Sequence, residues 1–110
     1  MAIASRGEGG LDDTVSDVFG RTKTITIVDI EEGEVKEVEV MENPGLSFRY
    51  GAGPILLKTL LDMRIDAVIA GELGPGVSAL INDHGIDKLI VKPNTPVLEA
   101  IQAYLKTLDR

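Results

Sequence analysis

Glycines in residues 66–83 form a pattern that could bind an anionic group. Gly71, Gly74 and Gly76 follow a short apolar run and lead into helically spaced apolar residues, and Pro75 stands where a first helical residue would lie. A glycine loop that runs into a helix offers free backbone N–H groups and the positive end of the helix dipole. The pattern therefore predicts an anion-binding loop directly after a buried strand.

Two other loops carry glycines in comparable positions. The long loop over residues 6–20 contains Gly9 and Gly10, and a second loop, with Gly51 and Gly53, precedes another helically spaced apolar stretch. Loops as long as residues 6–20 are uncommon in small domains and are usually functional when they occur. The alternative is that these glycines serve only tight turns and close packing.

Three arginines border the glycine loops. Arg6, Arg21 and Arg49 could clamp an anion, because a guanidinium group binds oxyanions with a forked geometry. Alternatively, they could form ion pairs with three acids of the long loop, Glu8, Asp12 and Asp13. Glu72 follows the buried strand, where it could orient a ligand, hold a cation or simply be solvated. The candidate ligand-binding residues are Arg6, Gly9, Gly10, Arg21, Arg49, Gly51, Gly53, Gly71, Glu72 and Gly74.

Direct metal ligation has little support in the sequence. The chain has no cysteine, which excludes thiolate ligands for zinc or an iron–sulfur cluster. Its one histidine, His84, falls in the last turn of a predicted helix, where an imidazole can cap carbonyl groups. Asp12 and Asp13 resemble a metal-binding pair, but capping of a short helix explains them more simply. No metal ligand is assigned.

Catalytic chemistry is also disfavoured. A two-metal nuclease needs a carboxylate on the first strand, and residues 2–5 contain none. The chain lacks a Gly-x-Ser-x-Gly elbow and the Lys-Ser or Lys-Thr of a P-loop. Eighteen acids against eleven bases, a net charge of −7, oppose binding to a nucleic-acid backbone. We therefore predict a protein that is not an enzyme and does not bind nucleic acid.

Length and hydropathy predict a cytoplasmic protein with one domain, residues 1–110. This length suits one hydrophobic core. No apolar run approaches the roughly 20 residues of a membrane span, so no membrane partner is predicted. The N-terminus lacks the pattern of a signal peptide. One Gln and three Asn among many Glu favour a heat-adapted source.

Apolar periodicity predicts the elements that would position the loops. Strands are predicted over residues 2–4, 22–31, 35–42, 66–70 and 89–91, and helices are predicted to open at Pro54, Pro75 and Pro96. A hairpin turn is expected at Glu32–Gly33, and the third strand should be an edge strand with one wet face. Gly85 is the expected C′ residue of the second helix, and Thr95 is the expected cap of the third. The three apolar residues expected to pin the long loop to the core are Val15, Val18 and Phe19.

This order of elements predicts an α/β fold. A hairpin followed by right-handed α/β crossovers gives a mixed five-stranded sheet with helices on both faces. The simplest strand order is 3-2-1-4-5, with the second strand antiparallel to the others. All three glycine loops then lie at one edge of the sheet, beside a crevice between the first and fourth strands. We expect a ligand to bind there.

A set of short motifs, in this order, carries a family resemblance. The motifs are Gly10-Leu11-Asp12, Val15-Ser16, Phe19-Gly20-Arg21, Ile27-Val28-Asp29, Glu42-Asn43-Pro44, Gly51-Ala52-Gly53, Gly71-Glu72-Leu73-Gly74-Pro75 and His84-Gly85-Ile86. Together they resemble the dinitrogenase iron–molybdenum cofactor biosynthesis family, the nitrogenase accessory factor domains, along nearly the whole chain. The chain is most similar to the stand-alone archaeal members.

The resemblance implies a ribonuclease H-like, three-layer α/β/α fold. It also implies binding or carrying of an iron–sulfur precursor or of the iron–molybdenum cofactor. In a chain without cysteine, backbone N–H groups and arginines would have to hold such an anionic cluster. The alternative function is a protein–protein interaction or regulatory domain that docks a partner protein and binds no cluster.

Overall fold

Three strands come first along the chain, and three helices then alternate with two further strands, in the predicted order. The structure, a computed structural model, describes residues 1–108. The strands are β1 (Ala2–Ser5), β2 (Thr24–Glu31), β3 (Glu34–Glu42), β4 (Ala67–Ala70) and β5 (Asp87–Ile90). The helices are α1 (Ala52–Asp62), α2 (Pro75–Asp83) and α3 (Val97–Leu108), and a single 3-10 turn spans Phe19–Arg21. Short runs of small and apolar residues form β1 and β4, a β-branched run forms β2, and apolar residues at helical spacing form the buried faces of the helices.

The strands form one mixed sheet in the order β3-β2-β1-β4-β5. β2 is antiparallel to both β1 and β3, whereas β1, β4 and β5 are parallel. Alternate residues of β1 enter two different cores. Ala2 and Ala4 pack with α1 and α2, and Ile3 packs with α3. The predicted α/β/α layers, strand order and antiparallel second strand are therefore confirmed.

The carboxyl ends of β1, β3 and β4 lie at the same edge of the sheet, which we call the carboxyl edge. This follows from the pairing, because β3 runs antiparallel to β2 and therefore in the same direction as β1 and β4. The loops over residues 6–20, 43–51 and 71–74 all leave the sheet there. The predicted convergence of the three glycine loops at one edge is confirmed.

Two local predictions about turns and caps are confirmed. Glu32 and Gly33 both have positive φ, at 55° and 79°, and join β2 to β3 as a tight hairpin turn. Gly85 has φ 67° after α2, and its N–H donates to Asn82 O while Ile86 N–H donates to Ile81 O. These are the two hydrogen bonds of a Schellman motif.

Several finer predictions are wrong for reasons of tertiary packing. The loop over residues 6–20 forms no helix before Phe19, and Val18 is exposed, although Val15 and Phe19 are buried as expected. β5 spans Asp87–Ile90 and not residues 89–91, because its pairing with β4 begins at Asp87 opposite Ala67 and ends at Ile90 opposite Ala70. The Thr95 hydroxyl donates to Lys92 O and, within residues 1–108, accepts no N–H of the helix that follows.

Within residues 1–108, no helix combines the length and the apolar character that crossing a bilayer requires.

Candidate functional site

One segment, residues 16–21, connects the three loops at the carboxyl edge. Gly71 N–H donates to Ser16 O at 3.1 Å, and Phe19 N–H donates to Glu72 O at 3.0 Å. The Arg21 guanidinium donates to Phe48 O at 3.2 Å and to Arg49 O at 2.8 Å. The loops after β3 and β4 are therefore both fixed to the loop that follows β1.

The crevice between β1 and β4 is filled by the protein itself. Ser16 N–H donates to Ala4 O, and Val15, fully buried, forms an antiparallel bridge with Ser5. The loop occupies this crevice because burial of the apolar side chains of Val15 and Phe19 stabilises the folded state. The hollow expected beside the first and fourth strands is therefore not open. An open pocket of about 240 Å³ lies one strand further along, lined by Gly71, Glu72, Leu73, Ser78, Lys88 and Ile90.

Two of the candidate glycines in the loops after β3 and β4 are required by close packing. A Cβ at Gly53 would lie 2.5 Å from Val77 Cγ2, and a Cβ at Gly71 would lie 2.6 Å from Ser16 O. Gly20, in turn, packs against the backbone of Gly53. Such contacts leave no room for a side chain. Close packing therefore explains why these two positions are glycine, and no bound ligand is needed to explain them.

Gly51 and Gly74 occupy the N-cap positions of two helices and have no side chain that could cap them. Gly51 is the N-cap of α1 and Gly74 is the N-cap of α2, and a Cβ at either position would meet no atom within 4 Å. Within residues 1–108, the first N–H groups of the two helices donate to no acceptor; these belong to Ala52, Gly53, Gly76 and Val77. Because Gly53 packs on Val77, two positive helix ends lie side by side.

The three arginines have different environments. Arg6 forms an ion pair with Asp17, an acid of its own loop. Arg21 is occupied by the carbonyl groups of Phe48 and Arg49 and so orients that loop. Arg49 is exposed and has no ion pair within residues 1–108. Of the three side chains, that of Arg49 is the one best able to bind a ligand.

Gly9 and Gly10 lie apart from the helix ends, on the sheet face that carries α3. A Cβ at Gly9 would lie 2.5 Å from Val40 Cγ1, and Gly10 N–H donates to Thr26 Oγ1 at 2.9 Å. Asp13 holds this part of the loop, accepting N–H groups from Gly7 and Gly9 at 2.8 Å each. The expectation that Asp12 or Asp13 caps a short helix is wrong, because Asp13 organises a turn.

Several positioning residues were missed in the sequence. Asn43 is buried, and its side-chain amide donates to Gly20 O and Thr22 O while its oxygen accepts Gly45 N–H. An Asn before Pro-Gly is a typical turn former, so this position could have been recognised. Buried hydroxyl groups at the end of β1 form a second network that supports the long loop; they belong to Ser5, Thr22, Thr24 and Thr26.

The loop after β3 exposes apolar side chains beside the first turn of α1. Phe48 is 49% exposed and Tyr50 is 82% exposed, and Leu46 is also on the surface. Aromatic residues with a neighbouring arginine are enriched in protein interfaces. We call residues 46–50 the aromatic loop.

Residues that could coordinate a metal directly are not gathered anywhere in the described chain. Residues 1–108 contain no group of three or more His, Asp or Glu side chains placed to hold a metal ion. His84 Nδ1 lies 2.9 Å from Leu80 O, at the end of α2 remote from the glycine loops, so its predicted role as a helix cap is confirmed.

One titratable side chain has a markedly shifted pKa. Burial, the hydrogen bond to Asp87 at 2.8 Å and the charges of Asp87 and Asp66 together raise the pKa of Tyr104 to about 12. Tyr104 lies on α3, against the first residues of the parallel strands and not at the carboxyl edge. Its hydrogen bond to β5 is therefore structural.

Comparisons with known proteins identify a family and a relative of this chain. The family model described as dinitrogenase iron-molybdenum cofactor matches residues 1–107. An uncharacterised protein of Methanocaldococcus jannaschii is 33% identical over 89 residues, which cover 80% of this chain and 74% of that protein.

Solved structures show the same fold. A candidate NifB protein from Thermotoga, 31% identical, superposes with a TM-score of 0.74 over 96% of this chain and 85% of its own. The apo orange protein of Desulfovibrio gigas, 24% identical, covers 96% of this chain and 86% of its own, with a TM-score of 0.85. At that identity the second likeness concerns the fold alone. The chain belongs to the dinitrogenase iron-molybdenum cofactor family.

Proposed function

We propose that this protein binds and carries an anionic metal cluster or its precursor, of the iron–molybdenum or iron–sulfur type, without catalysing a reaction. The single observation that carries the proposal is the pair of helix N-termini at the carboxyl edge. Four backbone N–H groups without acceptors within residues 1–108 lie at two adjacent positive helix ends. Membership of the family supports a role connected with the cofactor.

The residues present favour a particular way of holding such cargo. Without cysteine, and with His84 at the far end of α2, the protein would bind a cluster by hydrogen bonds and charge and not by metal–protein bonds. Arg49 can supply a mobile cation. Lys88, whose Nζ donates to Ser78 Oγ at 2.8 Å, supplies a second cation in the pocket beside Glu72. Cargo held in this way could be released without breaking a metal–protein bond.

A substitution at the α2 N-cap tests the proposal. Gly74 has φ −63° and ψ 158°, a typical N-cap conformation, and open space above it. In Gly74→Asp, the new carboxylate should cap the free N–H groups, stabilise the fold by a few tenths of a kcal/mol and compete with an anion. We expect the Kd for tetrathiomolybdate, measured by anaerobic equilibrium dialysis, to rise at least tenfold.

The matched control is Asn82→Asp, which adds the same charge at the other end of α2. It should change the Kd by less than twofold. Equal weakening by both substitutions, or undiminished binding to Gly74→Asp, would exclude a site at the helix ends.

A second function, docking of a partner protein without a cluster, is favoured by the aromatic loop. Phe48 and Tyr50 are half of the four aromatic residues in the chain, and both are exposed. If a partner co-purifies from the source cell, Phe48→Ser with Tyr50→Ser should release it, while Arg6→Ala, at an arginine outside the aromatic loop, should leave it bound. Loss of the partner with Arg6→Ala, or its retention by the double serine variant, would argue against this alternative.

A further inference from the structure

β3 has an open hydrogen-bonding edge. It is nine residues long and, within residues 1–108, pairs only with β2. Strands of this length present unpaired N–H and C=O groups that can template another strand. The residues of the strand are mostly exposed, and Gly9 of the long loop approaches it at Val40.

One face of β3 is apolar and accessible. Val38 is 37% exposed and Val40 is 44% exposed, and their partners on β2 are Val28 and Thr26. Because paired residues of neighbouring strands share a face, both valines extend the α3 side of the sheet beyond its buried part. An added strand with apolar residues at alternate positions would cover them.

The opposite face of β3 is acidic. Glu37 pairs with Asp29 and Glu39 pairs with Ile27 in the β2–β3 register, and all three carboxylates are exposed. They line a cavity of about 490 Å³ at the end of the sheet opposite the glycine loops, in which Arg64 is the one basic side chain. None of the three forms an ion pair within residues 1–108. This face therefore has unbalanced negative charge.

We infer that the β3 edge accepts an extended basic segment of a partner protein, added to the sheet as a sixth strand. Apolar side chains of that segment would cover Val38 and Val40, and lysines or arginines at the intervening positions would face Glu37 and Glu39. Main-chain hydrogen bonds supply affinity in this mode, and the alternating side chains supply selectivity. The site is separate from the proposed cluster site and does not depend on it.

Charge also disfavours two other strands that could pair with β3, which are β3 of a second copy and an acidic strand. An antiparallel pairing of two copies centred on Val38 would set Glu37 opposite Glu39 of the second copy, and like charges directly opposite are destabilising. An acidic strand would meet the same repulsion. A basic strand with alternating apolar residues is therefore the complement of this edge.

A short peptide tests the inference with the full chain. The probe is a blocked heptapeptide of alternating lysine and valine, followed by amide chemical shifts at 0.1 M salt. We expect saturable shifts centred on residues 34–42. We expect at least tenfold weaker binding by a peptide of the same composition in which the lysines precede the valines, because that order cannot satisfy both faces.

Charge reversal supplies the matched comparison. Glu37→Lys with Glu39→Lys should weaken the lysine–valine peptide at least tenfold and admit a glutamate–valine peptide. Asp83→Lys with Glu99→Lys, the same charge change on exposed helical positions, should alter the Kd less than twofold. Any of four results would overturn the inference. The two lysine peptides could bind equally well, or the two double variants could weaken binding equally. The shifts could lie away from β3, or the free protein could be a dimer joined at β3.

Discussion

Glycine has two different roles at the carboxyl edge, and the space above each Cα separates them. Gly53 and Gly71 lie against other parts of the chain, whereas Gly51 and Gly74 face open space. The first pair allows three loops to meet, and the second pair leaves helix ends uncapped. A substitution at the first pair should therefore affect folding, and one at the second should affect ligand binding.

Gly71→Ala should lower the free energy of unfolding by about 1–3 kcal/mol, because its Cβ would lie 2.6 Å from Ser16 O and 2.8 Å from Asp17 O. Gly76→Ala is the control, since a Cβ there meets no atom within 4 Å; its stability should be unchanged or slightly raised. Urea denaturation of both variants measures the difference. Similar stabilities would show that the backbone contact at Gly71 is unimportant.

Ionisation of Tyr104 should lower the free energy of unfolding at alkaline pH. Its pKa rises from 10.0 in the unfolded chain to about 12 in the folded protein, so the folded state holds the proton more tightly. The resulting stabilisation is complete below pH 10 and is lost as pH rises towards 12. Tyr104→Phe should lose about 1 kcal/mol at pH 7 with the hydrogen bond to Asp87. Its unfolding free energy should fall less than that of the wild type between pH 10 and 12, and parallel curves would contradict this assignment.

At the scale of elements, two helices end in the same motif with different residues. After α2 the left-handed position is Gly85, and after α1 it is Arg64, with φ 61°. In both cases the next N–H donates five residues back, from Ile86 to Ile81 O and from Ile65 to Leu60 O. A side chain at positive φ costs roughly 1 kcal/mol.

Opposite substitutions at these two positions should have opposite effects. Gly85→Ala should destabilise the fold by about 1 kcal/mol from backbone strain alone, because its Cβ would meet no other atom. Arg64→Gly should raise stability by up to about 1 kcal/mol by relieving that strain. Thermal unfolding of the two variants compares them, and shifts of the same sign would exclude the explanation.

The elements were predictable from local patterns, and the filled crevice was not. Gly85 followed by Ile86 identifies a helix end from two residues, and a hairpin before α/β crossovers restricts the strand order. By contrast, Gly71 N–H meets Ser16 O across more than fifty residues of chain. No periodicity in the sequence predicts such a contact. The burial of Val15 and Phe19 was therefore predictable, but the occupation of the crevice by their loop was not.

For the whole molecule, charge is distributed unevenly. The chain carries a net charge of −7, yet residues 43–61 contain no acid and include Arg49 and Lys58. Acidic side chains concentrate on β2 and β3, whose open edge is at one side of the sheet. An anion is therefore repelled least beside the first turn of α1, where the free N–H groups lie.

Amide chemical-shift mapping during anaerobic titration with tetrathiomolybdate tests cluster binding at the carboxyl edge most directly. The expected result is a saturable set of shifts within residues 6–21, 49–53 and 71–76, largest at the first residues of α1 and α2. Shifts that avoid all three segments, or no saturable shifts at millimolar ligand, would contradict the proposed site and with it the role of a carrier.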